Sequence, residues 1–162
     1  MARGLHSLGD RQGGPFIPIN CSALPDDLIE SELFGHRQGS FTGAVSHKPG
    51  LFEAASGGTL FLDEIATMPI YLQTRLLRVL DDRKIRRLGE TKERPIDVRI
   101  VAATNQPLKE LIRRGDFRED LYHRLNVYQI RVPCLKEPIP IFLCLRITSW
   151  KVSTAEPVKR KG

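Results

Sequence analysis

The sequence predicts an α/β domain in which a parallel sheet carries helices on its faces. Two observations carry that expectation. Strand-like and helix-like stretches alternate along the chain, and Thr59-Leu60-Phe61-Leu62 is an unbroken apolar run, as in a central strand buried on both faces. That run ends in Asp63-Glu64, and the next predicted strand ends in Thr104-Asn105. Ligands of such sheets lie at the carboxyl ends of the strands, so topology brings Asp63, Glu64 and Asn105 together.

Each element follows from local pattern. After a polar opening from Gly9 to Gly14, Pro15 to Asn20 reads as a short strand with Phe16, Ile17 and Ile19 apolar. Pro25, Asp26 and Asp27 begin a helix that runs to Phe34, because proline suits the first turn and acids suit its positive end. Gly35 ends it. From His36 to Pro49 the glycines and hydroxyls leave Phe41 and Val45 as the sizeable apolar residues, which predicts an exposed loop with an aromatic that has little core to join. Leu72, Leu76, Val79 and Leu80 form one helical stripe after Pro69, read as core packing. Residues 83 to 95 are strongly charged and contain Gly89, as in an exposed hairpin or loop. Ile96, Val98 and Ile100 alternate into Val101-Ala102-Ala103 as a strand; helices over 107–114 and 117–124 and a strand over 126–132 follow.

Composition excludes more than it assigns. The 162 residues suffice for one domain with a core, and 41% hydrophobic with 27% charged residues sets aside disorder and fibres. The net charge of +6 is concentrated at the end: Arg146, Lys151, Lys159, Arg160 and Lys161 stand against Glu156 alone after residue 137. Such a stretch is either a DNA-binding tail or, more simply, a solvated one. Cys21, Cys134 and Cys144 are odd in number and widely spaced, which argues against a disulfide framework or zinc site. His6, His36, His47 and His123 are equally scattered and read as surface or satisfied histidines. No apolar stretch approaches the ~20 residues of a membrane span, so a cytoplasmic protein is expected.

An apolar strand ending in Asp-Glu is a Walker B pattern: the first acid helps hold Mg²⁺ and the second orients a water for phosphoryl transfer. The same two acids also suit a helix N-cap. The reading sharpens at Glu32-Leu33-Phe34-Gly35-His36 and Gly39-Ser40-Phe41-Thr42-Gly43-Ala44, which resemble the signature of the sigma-54-dependent transcriptional activators, a branch of the AAA+ ATPases. The resemblance continues through Gly57 to Glu64, Arg99 to Asn105 and Phe117 to Tyr122, and covers residues 2 to 137. It implies an AAA+ fold of the P-loop NTPase-like type, a three-layer parallel sheet with flanking helices, incomplete at both ends. It implies two regions, a partial sigma-54 interaction domain over 1–137 and a divergent tail over 138–162, frameshifted or disordered.

The resemblance also implies roles. Gly39, Ser40, Phe41, Thr42, Gly43 and Ala44 would form the loop that contacts sigma-54, with Phe41 and Thr42 pressing on it. Asp63 would hold Mg²⁺ through water, Glu64 would be the catalytic base, Asn20 would restrain that base, and Asn105 would sense the γ-phosphate of ATP. Arg118 and Arg124 would reach the ATP of a neighbouring subunit, which requires a homo-oligomer, hexameric in the family. The stretch 83–95 would be a second pore loop assisting the first, against the simpler reading of a solvated loop. The partner would be the sigma-54 RNA polymerase holoenzyme, with DNA bound by a separate domain.

The pattern also breaks. The family grips ATP with GxxxxGK[ST], whereas this chain has no Gly-Lys dipeptide, and Ala2 to His6 resembles the end of the helix that follows that motif. Beyond Glu137 nothing matches the family's helical lid, and Ser40 stands where alanine is usual. Two readings follow: part of an ATP-driven activator with little or no hydrolysis by this chain, or a nucleotide-independent sigma-54-binding module or remnant. A missing strand would leave an exposed sheet edge, and the apolar run Ile139 to Leu145 would be an aggregation hazard, giving marginal stability.

Overall fold

The computed structural model describes residues 1–132 and 141–146. In chain order these form α1 (Ala2–Ser7), β1 (Phe16–Asn20), α2 (Asp26–Phe34), β2 (Gly35–His36), β3 (Lys48–Pro49), α3 (Leu51–Ala54), β4 (Thr59–Asp63) and a 3-10 turn (Ile65–Thr67). Then come α4 (Ile70–Asp82), β5 (Lys84–Arg86), β6 (Glu93–Pro95), β7 (Arg99–Thr104), α5 (Leu108–Arg114), α6 (Glu119–Leu125), β8 (Tyr128–Val132) and β9 (Ile141–Arg146). Among the described residues no helix is long and apolar enough to cross a membrane.

The sheet runs β1-β4-β7-β9-β8, with β1, β4 and β7 parallel. Side chains of a strand alternate between faces, and the burial obeys that period. Leu60, Leu62, Ile100 and Ala102 enter the main core with residues of α2, α3, α4, α5 and α6, while Phe61, Val101 and Ala103 pack against Ala2 and Leu5 of α1. Helices therefore cover both faces, giving the three layers that the apolar strand run implies. His6 on α1 is fixed to the sheet by a 3.0 Å bond between its Nδ1 and Thr59 Oγ1.

The sheet departs from the expectation in one respect. Beside β7 lies β9, antiparallel, with Ala102 opposite Cys144; β8 pairs the other side of β9, with Ile130 opposite Leu143. The edge of β7 is thus paired rather than exposed, and part of the tail expected to diverge from the domain is a strand within the sheet. The physical reason is that an edge strand offers a row of unpaired N–H and C=O groups, and a nearby β-prone run satisfies them. The expected boundary at residue 137 lies outside the described residues, as do Cys134 and most of the basic tail.

A second difference concerns Ile96 and Val98, predicted as the start of a strand that begins only at Arg99. Their backbone is claimed elsewhere: Ile96 N–H donates to Arg83 O, and Asp97 O accepts from Gly57 N–H at 2.8 Å. Asp97 is further held by Arg11, whose guanidinium lowers the Asp97 carboxyl below the usual carboxylate range.

The charged stretch 83–95 is the predicted hairpin, β5 pairing β6 with Ile85 opposite Arg94. Two arginines tie it down. Arg87 makes a two-pronged bond to Glu53 of α3 at 2.6 and 2.7 Å, lowering the Glu53 carboxyl below its ordinary value. Arg75 of α4 pairs with Glu30 of α2, lies 4.2 Å above the Phe34 ring, and donates to Arg86 O. A planar guanidinium can make all three contacts at once, which a lysine cannot.

Candidate functional site

The parallel register sets the strand tips. Asn20 stands opposite Asp63, and β4 continues in step with β7 through Leu62 opposite Ala102. Neighbouring strands lie about 4.8 Å apart, so Asn20, Asp63 and the end of β7 at Thr104 share one end of the sheet, with Asn105 next beyond Thr104. Alternation from Phe61 puts Asp63 on the face covered by α1, and alternation from Phe16, whose ring lies 5.4 Å from that of His6, does the same for Asn20.

Local bonds orient these groups. Asp63 Oδ1 accepts from the Glu64 N–H at 3.1 Å, and Asp63 O accepts from the Cys21 N–H at 2.9 Å, so the chain after β1 hugs the acidic tip. Glu64 has a left-handed backbone, φ +52°, uncommon for a residue with a side chain and costing of order 1–2 kcal/mol. The turn is held shut by Thr67, whose N–H and hydroxyl both donate to Glu64 O. Cys21 records how acidic the tip is: burial, then the Asp63 and Glu64 carboxylates, push its thiol up to about 12. Among the described residues no group of three His, Cys, Asp or Glu side chains is set to hold a metal ion.

Asn20 carries a partner that sequence reading missed. Its Oδ1 accepts from both the N–H and the hydroxyl of Ser22, at 2.9 and 2.8 Å. A backbone N–H can bond only to the oxygen of the amide, so the amide's orientation is determined and its NH₂ remains the free end. Gln73 was also missed, being a polar residue among the apolar positions of α4. Fully buried, its Nε2 donates to Met68 O at 2.7 Å and Asp116 O at 3.1 Å, while its Oε1 accepts from the Arg118 N–H at 2.8 Å.

The arginines have partners within the chain. Arg118 donates to both oxygens of Asp120 and to Thr74 Oγ1, and it holds the Asp120 carboxyl below its ordinary value. Arg124 pairs with Asp81 of α4 at 2.7 Å. Both pairs are well exposed and worth at most about 1 kcal/mol, so either guanidinium is released at little cost.

The loop around Phe41 is closed upon itself rather than extended. Gly39 N–H donates to Ala44 O, Ser40 N–H to Arg37 O and Ala44 N–H to Phe41 O. Its neck is narrow because Gly35, at φ +76°, passes Gly50 so closely that an added Cβ would lie 2.5 Å from the Gly50 nitrogen. Phe41 remains 41% exposed, with its ring edge-on to buried His36 at 5.1 Å between centroids. His36 is in turn fixed by Ser31 Oγ, 2.7 Å from its Nδ1. Of the predicted site residues, the structure therefore gathers Asn20, Asp63, Glu64 and Asn105 at the strand tips and sets Phe41 on a separate surface loop.

Residues 1–131 match the family model described as the Sigma-54 interaction domain. The transcriptional regulatory protein GlrR of Escherichia coli (strain K12) is 57% identical over 136 residues, which cover 84% of this chain and 31% of GlrR. The Sigma54-dependent transcriptional regulator SfnR of Pseudomonas fluorescens (strain Pf0-1) is 53% identical over 137 residues, 85% of this chain and 37% of SfnR. The crystal structure of NtrX from Brucella abortus in complex with ATP matches with a TM-score of 0.75 at 42% identity, covering 83% of this chain and 28% of NtrX. The chain thus spans about a third of the length of these curated relatives. Its sheet and flanking helices are of the AAA+, P-loop NTPase-like type. The acidic strand tip, the glycine-flanked Phe41 loop and a family match over most of the chain lead to one conclusion: this protein belongs to the Sigma-54 interaction domain family.

Proposed function

We propose that this chain is the portion of an ATP-dependent activator of sigma-54 RNA polymerase that carries the water-activating acids and the polymerase-contacting loop. The observation that carries the proposal is the register of Asn20 opposite Asp63, with Glu64 following. One tip then presents two carboxylates and an amide NH₂, while an exposed aromatic is carried on a separate loop. In this reading Glu64 accepts a proton from, or orients, the attacking water, and the Asn20 NH₂ restrains it. Asp63 holds Mg²⁺ through water, and Asn105 contacts the terminal phosphate. Arg118 and Arg124, released from Asp120 and Asp81, reach a neighbouring copy in a homo-oligomer. Phe41 and Thr42 contact sigma-54 in the cytoplasm, and DNA is bound by another domain of the whole protein.

The donor set fits one half of the implied cofactor. A Mg²⁺ ion is commonly held by one or two carboxylates with the remaining positions left to water and phosphate, and Asp63 with Glu64 can provide that. The phosphate side does not fit, because the sequence contains no Gly-Lys dipeptide and hence no GxxxxGK[ST] cradle. We therefore propose little or no ATP hydrolysis by the chain alone.

The test is capture of purified sigma-54 together with ATP turnover, measured on this chain and on a version extended with a phosphate-binding strand, loop and helix. Capture that is lost in Phe41→Ala, with turnover only in the extended version and abolished there by Glu64→Gln, is the expected result. Brisk turnover by the unextended chain, or capture indifferent to Phe41, refutes the proposal. Capture with no turnover in either version selects the nucleotide-independent binding module, which the missing phosphate cradle also favours.

A further inference from the structure

The hairpin loop meets the Phe41 loop at one point. Leu88 N–H donates to Gly35 O and Arg37 N–H donates to Leu88 O, at 2.9 and 3.0 Å, so residues 35–37 and 88 run side by side. Immediately beyond, Gly89 lies against Ser40. A Cβ added to Gly89 would fall 2.7 Å from Ser40 Cβ and 3.4 Å from Ser40 Cα. Neither atom is the far end of a flexible side chain, so relief requires the loop backbone to move. Gly89 also has φ +73°, a conformation that side chains rarely adopt.

In the same closed loop the Ser40 hydroxyl is buried without a hydrogen-bond partner. A buried, unmet hydroxyl is unfavourable, because the water it has lost is not replaced. The closed loop therefore contains a favourable seat, Phe41 against His36, and an unfavourable element, the unmet Ser40 Oγ. Opening the loop, which parts Ser40 from Gly89, gives that hydroxyl access to water.

We infer that Ser40 and Gly89 form a steric latch in which the charged hairpin sets the resting position of the Phe41 loop, and that the unmet Ser40 hydroxyl biases the loop towards release. Gly89 is a positioning residue for the partner-contacting aromatic. Ser40 determines how readily that aromatic is offered. The inference rests on the proposed role of Phe41, but the latch itself is read without any partner.

The two positions make opposite predictions. Ser40→Ala removes the unmet hydroxyl and keeps the Cβ that rests on Gly89, so the closed loop gains and the open fraction falls about tenfold. Gly89→Ala forces the loop off its seat, so the open fraction rises. Limited digestion of the whole chain with chymotrypsin, with the cut at Phe41 followed by mass spectrometry, reads the open fraction directly. Slower cutting in Ser40→Ala and faster cutting in Gly89→Ala, with unchanged far-UV circular dichroism, is the expected result. Equal or faster cutting in Ser40→Ala overturns the latch, and that variant decides alone should Gly89→Ala fail to fold. Sigma-54 capture by the same variants is a separate reading: cutting that follows the prediction while Phe41→Ala leaves capture intact keeps the latch and removes the partner assignment.

Discussion

Replacing Gln73 with leucine tests whether one buried amide holds the acidic turn and the Arg118 segment together. Leucine matches the site's volume and suits the apolar stripe of α4, so the loss is confined to polar partners. Three groups lose theirs: the carbonyls of Met68 and Asp116 and the N–H of Arg118. Asp116 is exposed and Arg118 half-buried, so water replaces those bonds at about 0.5–1 kcal/mol each. Met68 is 2% exposed, its carbonyl stays dry, and that bond costs about 1–3 kcal/mol. Setting about 1 kcal/mol of added apolar burial against this leaves a net loss of about 1–4 kcal/mol. For a chain of this size that lowers Tm by about 3–15 °C. Urea unfolding and thermal melts of both proteins give the energy. Hydrogen exchange at the Arg118 amide locates it, with protection expected to fall in the variant. Gln73→Glu is expected to be worse than leucine near neutral pH, because an ionised carboxylate faces two carbonyl oxygens and cannot donate to either. A stability change below about 0.5 kcal/mol, or undiminished protection at Arg118, refutes the reasoning.

Other perturbations follow from single contacts. Glu53→Gln loses a half-buried two-pronged bond to Arg87 and is expected to destabilise by about 1–3 kcal/mol near neutral pH. Because the folded carboxyl lies below its ordinary value of 4.5, the wild-type advantage is present above pH 4.5 and fades as pH falls through the folded value, so unfolding curves of the two proteins should converge in acid. Cys21, with its thiol pushed from 9.0 to about 12, has about a thousandfold less thiolate at pH 8, so alkylation at this position, followed by peptide mapping, should require unfolding. Arg75→Lys is expected to loosen the hairpin, since lysine keeps one charge contact but cannot also cover Phe34 and bond Arg86 O; faster proteolysis within 84–95 checks it.

The strand at Thr59–Asp63 and the stripe of α4 were legible because their signals are local: an apolar run, and spacing that places Leu72, Leu76, Val79 and Leu80 on one face. The strand tips were legible for the same reason, since parallel topology alone brings Asp63 and Asn105 to one end. Long-range choices of partner were not. That Ile141–Arg146 pairs with β7 depends on which backbone edge is open after everything else has folded. Gln73 looks like an interruption of an apolar face until the carbonyls of Met68 and Asp116 are known to converge on it. Phe41 has little core to join, yet its loop closes by hydrogen bonds and seats the ring on His36, because Gly35, Gly39 and Gly43 take positive φ and permit a fold that residue type alone does not specify.

These contacts give α4 a particular position in the molecule. Near its first turn Gln73 grips the turn that begins at Glu64 and the segment carrying Arg118; one residue beyond Thr74, Arg75 grips α2 and the hairpin strand β5. The hairpin then meets the Phe41 loop at Leu88 and Gly89. Gln73 and Arg75 lie two residues apart on one helix, about 3 Å along its axis, so rotation or shift of α4 displaces both grips together. A change at the turn after Glu64 therefore has a route of successive contacts to Ser40, through Gln73, Arg75, the hairpin and Gly89. Continuity is necessary for coupling but does not measure it. The measurement is a cycle combining Gln73→Leu with Ser40→Ala, scored by chymotrypsin cutting at Phe41. The two positions share no direct contact among the bonds described, so independent sites give additive effects. A departure beyond about 0.5 kcal/mol shows that α4 transmits, whereas additivity means that the acidic tip and the loop respond separately.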